Sequence, residues 1–227
     1  MKKFLMIFAF MQILVSCSTE PGGYRLYYFP VDDFSNPKVY KFVNVKHSDD
    51  IIYYAMKSIY DKGNKYLHIE TYDGKYNQLE SIRQRITSNG AFVDEYLLTM
   101  DSIRLKMKIY SDTMMVWDVK NNVKFMFEAS LHRPEFKNQQ IIKKVRFFTG
   151  EEGNFEFENI KYKTVELNED VFFTDGTDAT SLKTTIINYA NGLGIVSFEV
   201  RQPNVITQSY KLNRIISFAE WKRSQFK

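Results

Sequence analysis

Cys17 is the one thiol in 227 residues, and a thiol is the side chain that accepts a thioether-linked lipid. No second cysteine exists to pair with it in a disulfide. Histidine is nearly as scarce, with His47, His68 and His132 alone, so tetrahedral zinc sites are poorly supplied. His68 and Glu70 fall on one face of a strand, where they could clip a metal, although a surface cross-strand pair is the plainer use. Asp175-Gly176-Thr177-Asp178 gathers oxygen ligands just after Glu169-Asp170. Calcium takes six to eight oxygens, and the twelve-residue loop spacing is missing, so a solvated turn is the plainer account. The pairs Asp32-Asp33, Asp49-Asp50 and Glu151-Glu152 are adjacent in sequence and would point to opposite faces of a strand, which is wrong for sharing one substrate. A nucleophile elbow, a zinc helix motif, a P-loop and a dinucleotide fingerprint are all missing. No metal and no cofactor is expected.

The surplus is aromatic, with 15 Tyr and 19 Phe. Tyr24, Tyr27, Tyr28, Tyr53, Tyr54, Tyr60, Tyr66, Tyr72 and Tyr76 crowd the N-terminal third. Tyrosine has an apolar body and a polar tip, so a row of them can stack on sugars or line a cleft. Tyr27, Tyr53, Tyr66 and Tyr72 are the candidate ligand-facing aromatics. Sheet core and rim are the competing use.

The element that positions all of this is the first stretch. Lys2 and Lys3 precede an apolar run from Phe4 to Val15, which ends on Leu14-Val15-Ser16-Cys17. A charged start, a short apolar segment and a small-residue cleavage site read as an export signal. About 12 helical residues rise roughly 18 Å, well short of the ~30 Å bilayer core, so a permanent span is not expected. Leu14-Val15-Ser16-Cys17 resembles the lipobox of bacterial lipoproteins. That resemblance implies cleavage between Ser16 and Cys17, a diacylglycerol on the Cys17 sulfur and an acyl chain on the new amine. One chain holds a membrane marginally, whereas two or three anchor stably. By analogy with the sorting rule of enteric bacteria, Ser18 in place of aspartate directs the protein to the outer membrane. The chain thus divides into a signal peptide (1–16), a lipidated tether (17–23) rich in Ser, Pro and Gly, and one domain (24–227).

Net charge is +4 and falls by two when Lys2 and Lys3 leave. A near-neutral mature chain gives no case for nucleic acid. With no cysteine past Cys17, apolar burial must hold the domain together. Aromatic and β-branched enrichment points to sheet. Strands are expected at Tyr24–Phe29, Val39–Val45, Tyr66–Tyr72 and Ala91–Met100, and Ile51–Tyr60 and Gln78–Ile86 fit strand or helix. Ile103, Leu105, Met107 and Ile109 alternate with Arg104, Lys106 and Lys108, which predicts one unbroken strand with a buried and a basic face. Met114–Val119 and Val123–Ala129 flank Lys120-Asn121-Asn122 as a hairpin. Ile141–Phe148 should stop at Gly150-Glu151-Glu152-Gly153. The phase slip between Glu158 and Ile160 suggests a bulge or corner. Ser217 with Glu220 spells a capping box, so a short C-terminal helix follows.

Tyr189-Ala190-Asn191-Gly192-Leu193-Gly194-Ile195-Val196 is similar to the Tyr-Ala-x-Gly-x-Gly-x-Val hairpin of small exported β-rich lipoproteins. Tyr28-Phe29-Pro30 matches a second segment of that group, though no Gly-x-x-Trp follows Pro30. The resemblance implies a meandering antiparallel sheet and no assigned activity. The fold expected is mainly β: an antiparallel meander forming a curved sheet, half-barrel or sandwich, with a short C-terminal helix. A membrane-spanning barrel would also alternate, but outward triplets such as Arg104, Lys106 and Lys108 count against it.

The function expected is a membrane-anchored, non-catalytic domain in the cell envelope. It would meet the membrane through Cys17 and bind an apolar ligand, a glycan or an envelope protein. The alternatives are a glycan-binding surface lipoprotein and, behind it, an envelope hydrolase, which requires two carboxylates brought together only by the fold.

Overall fold

The computed structural model describes residues 23–131, 139–175, 180–202 and 208–226. Cys17, the tether as far as Gly23, the expected loops at His132–Asn138 and 176–179, and the Pro203-Asn204 turn lie outside them. Two short 3-10 turns, Gly23–Tyr27 and Val31–Ser35, come first. Five strands follow: β1 (Lys38–Asn44), β2 (Ile51–Asp61), β3 (Asn64–Asp73), β4 (Gln78–Ile86) and β5 (Gly90–Met100). Next come β6 (Ile103–Lys106), β7 (Lys108–Val116), β8 (Phe125–Leu131), β9 (Gln140–Phe157) and β10 (Ile160–Asp175). β11 (Thr180–Ala190), β12 (Gly194–Arg201), β13 (Gln208–Ser217) and the helix α1 (Phe218–Ser224) complete the chain.

Every pairing is antiparallel between near neighbours in sequence, and β13 returns to pair with β1 from Lys38↔Ser217 to Asn44↔Tyr210. The sheet therefore closes into an up-and-down barrel whose ring is β1 to β5 followed by β7 to β13. β6 is a short arm paired to the end of β5. Closure removes the exposed edges that invite aggregation. Register shifts at Lys41/Phe42, Thr71/Tyr72, Arg83/Gln84 and Val165/Leu167 mark bulges that bend strands into the ring.

Three hairpins are set by their turn residues. Lys62-Gly63, Asp101-Ser102 and Glu158-Asn159 each place both central residues at positive φ, and each joins strands whose flanking residues pair directly. These are two-residue turns whose twist matches that of the strands they join. The phase slip at Glu158 to Ile160 is thus a tight turn and not a corner. Gly150-Glu151-Glu152-Gly153 does not end its strand but lies inside the long β9. Ile51–Tyr60 and Gln78–Ile86 are strands. Tyr24–Phe29 is no strand: its residues form a 3-10 turn and a following bend. The unbroken strand expected at Ile103–Ile109 is cut at Met107, where the amide donates to the Tyr96 carbonyl at 2.9 Å. Ile103 at the hairpin tip is 60% exposed, so the buried face holds only from Met107 onward.

Twelve strands enclose more space than their own inward side chains can fill, since about eight strands suffice for that. The chain fills one end with its N-terminal segment. Tyr28, Phe29, Val31 and Phe34 are buried in the main core. Phe29 meets Phe34 and Tyr40 edge-on at 6.4 and 6.0 Å between ring centroids. Tyr24 stacks on Phe148 at 3.4 Å. The plug is tied to the rim by Tyr24 N–H to the Trp117 carbonyl and Gly192 N–H to the Leu26 carbonyl, both 2.9 Å. Phe29 of the Tyr-Phe-Pro segment packs onto Gly194 of the 189–196 hairpin: a Cβ there would sit 2.3 Å from the ring.

Outside the barrel, α1 lays Trp221 against Val39, Tyr53 and Ala55 as a second small core. The Ser217 hydroxyl accepts from the Glu220 amide at 3.1 Å and starts the helix as the capping box predicts. Elsewhere the wall is charged at mid-height. Lys57, His68 and Arg83 stand in register across β2, β3 and β4, and Glu128 stands opposite Lys143 across β8 and β9. Hydrocarbon charges about 2–4 kcal/mol for each basic residue near midplane, so this wall is built for water.

Gly194→Ala tests the plug directly. With φ at +84° and the Phe29 ring in the way, it should cost about 2 kcal/mol or more. A urea unfolding midpoint that does not move would contradict the packing described.

Candidate functional site

The alternation of β9, β10 and β11 turns one set of side chains into the barrel. From the unplugged end upward, the register gives rungs of Ile142–Phe173, then Lys144–Val171–Lys183, then Arg146–Glu169–Thr185, then Phe148–Leu167–Ile187. Opposite them on β4 and β5 stand Glu80, Ile82 and Gln84 with Tyr96 and Leu98. Two neighbouring cavities result. The upper is about 210 Å³ under the plug and is lined by Tyr28, Tyr54, Glu80, Gln84, Arg146, Glu169 and Tyr189 among others. The lower is about 380 Å³ and is mostly apolar, lined by Tyr96, Leu98, Met100, Ile142, Val171 and Phe173 with Glu80, Lys144 and Lys183. Glu80 and Lys144 line both, so they stand at the boundary between them.

Arg146 and Glu169 form the polar centre. Both are buried. The Arg146 Nε donates to Glu169 Oε2 at 2.5 Å, the second guanidinium nitrogen meets the same oxygen, and Nη1 donates to the Met114 carbonyl at 2.9 Å. Burial by itself would raise the Glu169 pKa, but the Arg146 guanidinium, with Lys144 behind it, holds the carboxyl below its usual range. Around the pair stand phenols that burial keeps protonated. Tyr54 and Tyr96 are pushed up by burial and by the charges of Glu80 and Glu169, and Tyr189 rises to about 12 through burial against the opposing pull of Arg146. Two phenols here act as donors: Tyr96 donates to Glu80 at 2.8 Å, and Tyr28 reaches down from the plug to donate to the Gln84 side-chain oxygen.

The fold does bring two carboxylates, Glu80 and Glu169, into one cavity. Neither comes from Asp32-Asp33, Asp49-Asp50 or Glu151-Glu152; Glu169 belongs to the Glu169-Asp170 pair, just upstream of the oxygen-rich Asp175-Gly176-Thr177-Asp178 stretch. Asp32 instead ties Tyr60 and Lys65 at the surface, and Asp50 accepts from Tyr210 at 2.7 Å and Asn44 at 2.8 Å. Asp170 points outward to Thr184 while its neighbour Glu169 points inward.

Of the four singled-out tyrosines, Tyr53 and Tyr72 come together on Trp221, at 6.0 and 4.9 Å between centroids. Tyr76 stacks on Tyr53 beside them. Tyr66 lies on the outer wall with the Arg83 guanidinium 5.3 Å from its centroid. Tyr27 is half-buried against the plugged end. They occupy three separate places and not one row. His68 and Glu70 do share an outward face, with Nε2 3.6 Å from Oε1. His68 and Tyr72 hold the Glu70 pKa down to about 2. The buried Ser81 hydroxyl lies 3.3 Å from that same Nε2. A relay to serine needs both ring nitrogens, and here one nitrogen meets both partners. Among the described residues no cluster of three or more His, Cys, Asp or Glu could hold a metal.

No motif marks Lys144, Arg146, Glu80 or Lys183, and Glu169 stands out only as one of a pair beside an oxygen-rich loop. Their signal was phase. On β9 the inward set is Ile142, Lys144, Arg146 and Phe148, and on β10 it is Val165, Leu167, Glu169, Val171 and Phe173. Charge in the apolar phase of a strand marks a polar interior site.

No protein-family model matches the chain, and no curated protein matches it. Two solved structures share its fold. A candidate lipoprotein from Parabacteroides distasonis aligns with a TM-score of 0.50 at 11% identity, over 82% of this chain and 95% of its own. A candidate exported protein from Bacteroides fragilis, described as having a YmcC-like fold, aligns with a TM-score of 0.51 at 13% identity, over 79% and 95%. The similarity to exported β-rich lipoproteins read from Tyr28-Phe29-Pro30 and the 189–196 hairpin thus extends to the fold.

Breaking the central pair should be costly. Glu169→Gln leaves Arg146 buried and unmatched, a loss of about 3–5 kcal/mol, whereas the double change Arg146→Met with Glu169→Leu should recover much of it. Because the Glu169 pKa is lowered by folding, its contribution is complete above the ordinary glutamate value of 4.5 and is lost as pH falls below it. Urea midpoints measured from pH 7 to pH 3 should fall more steeply for the native chain than for the double variant; parallel profiles would contradict the pairing.

Proposed function

We propose that this chain is a lipid-anchored protein of the cell envelope whose barrel holds an apolar or amphipathic ligand in its lumen. The observation that carries this is the hollow interior. A plug closes one end, while the other half of the lumen is an apolar chamber of about 380 Å³, within the size range of ligand sites. An interior filled by side chains would have left no room for a ligand.

Binding suits the lumen better than hydrolysis. Acid–base cleavage needs one carboxyl that keeps its proton beside one that does not. Glu169 is held ionised and tied to Arg146, which leaves it neither a proton to give nor freedom to act as a base. The fold likeness to a lipoprotein and an exported protein supports an envelope location, and Ser18 favours the outer membrane. Gly23 starts at the plugged end, and the six residues from Cys17 to it reach at most about 20 Å. An anchor on Cys17 therefore sets the plugged end toward the bilayer and the open chamber away from it.

Two measurements test this. Cys17→Ser should release the protein from the membrane fraction, and retention there would remove the anchor. Solvent extraction without hydrolysis, applied to the protein purified from membranes, should yield a non-covalent apolar molecule near one per chain. Leu98→Trp, which fills the lower chamber, should abolish it while the barrel still folds. Recovery of nothing from the native chain, or equal recovery from Leu98→Trp, would overturn the lumen as the binding place.

A further inference from the structure

We propose that the lower chamber selects an anionic amphiphile, a single acyl chain ending in a carboxylate or phosphate, with Lys144 and Lys183 as its head-group ligands. This rests on the lumen reading above and goes beyond it to the chemistry of the occupant. Lys144 and Lys183 flank Val171 on one rung of the inner wall. Lys144 is half-buried and Lys183 lies nearer solvent.

The lumen's charges do not balance among themselves. Three cations, Lys144, Arg146 and Lys183, face two carboxylates, Glu80 and Glu169. Each carboxylate already has its own donors: Arg146 for Glu169, and Tyr96 at 2.8 Å with Thr71 at 3.5 Å for Glu80. Among the described residues neither lysine ammonium makes a hydrogen bond or an ion pair. Lys144 acts on Glu169 only through space. A half-buried ammonium beside Ile142 and Val171 has lost part of its hydration with only the through-space attraction of Glu169 in return, and an incoming anion would add a direct partner.

The rest of the chamber fixes the other half of the ligand. Leu98, Met100, Ile142 and Phe173 offer an apolar lining without a hydroxyl or amide side chain among them. Methionine adapts to irregular apolar shapes, which suits a flexible chain. The polar groups of the chamber are confined to Glu80, Tyr96, Lys144 and Lys183, so a free sugar, polar all round, would set most of its hydroxyls against apolar wall. A cationic head would meet like charge.

The probes are dodecanoate, dodecyl phosphate, dodecanol and dodecylamine, titrated by calorimetry into the mature chain carrying Cys17→Ser. Position 17 precedes the plug, so the substitution leaves every described contact intact. Both anions, or either one, should bind at one per chain and about tenfold or more tighter than dodecanol. A preference between the two anions identifies a carboxylate or a phosphate head. Lys144→Met should remove the anion's advantage and leave dodecanol binding unchanged, and Lys144→Arg should keep it. Lys183→Met, nearer solvent and with no described partner to lose, provides the same test should the Lys144 variant fold poorly. Equal binding of anion and alcohol, tighter binding of the amine, or lysine variants that change nothing would overturn the head-group assignment while leaving lumen binding standing. No binding of any of the four would instead overturn the lumen reading itself.

Discussion

The structure depends on one geometric fact: a ring of twelve strands cannot be filled by the side chains that its own strands point inward. Everything notable about the interior answers that excess of space. The N-terminal segment turns into one mouth and contributes Tyr28, Phe29, Val31 and Phe34 as a plug. A buried Arg146–Glu169 pair spans the middle. The remainder is left open, and the walls of that remainder are apolar except where Glu80 and two lysines enter.

The plug also explains why two short sequence segments far apart in the chain belong together. Phe29 follows Tyr28 in one, and Gly194 sits in the other at +84° with no room for a Cβ. Leu193 offers its carbonyl to Tyr40, and Gly192 offers its amide to Leu26. The small residues of the 190–194 turn are what let an aromatic segment seat against the rim. The same end holds Gly23, so the plug closes the end of the barrel at which the described residues begin.

Much of the architecture could be read from the chain alone, because period-two alternation, Asn/Asp/Gly turns and the Ser217 cap are local signals. Closure was not local: β1 and β13 pair across nearly the whole chain, and no pattern in either strand announces its partner. Two errors share a cause. Gly150 and Gly153 look like a loop, yet the long β9–β10 hairpin passes through them. Tyr24–Phe29 has strand composition, yet tertiary packing makes it a plug. The aromatic surplus proved to be spread over core, rim and the Trp221 cluster. The lumen's charged residues carry no motif; their mark is misplacement. Lys144, Arg146 and Glu169 occupy positions that alternation assigns to apolar residues, and for Arg146 and Glu169 the cost of burial is offset by the pair they form.

The most direct test of the hollow lumen is a crystal structure of the mature chain grown with a terminally brominated dodecanoate and read at the bromine edge. The account predicts an anomalous peak inside the barrel between Leu98, Met100 and Phe173, with the carboxylate end within reach of Lys144. A bromine found only on the outer wall, or a lumen closed by its own side chains, would contradict it.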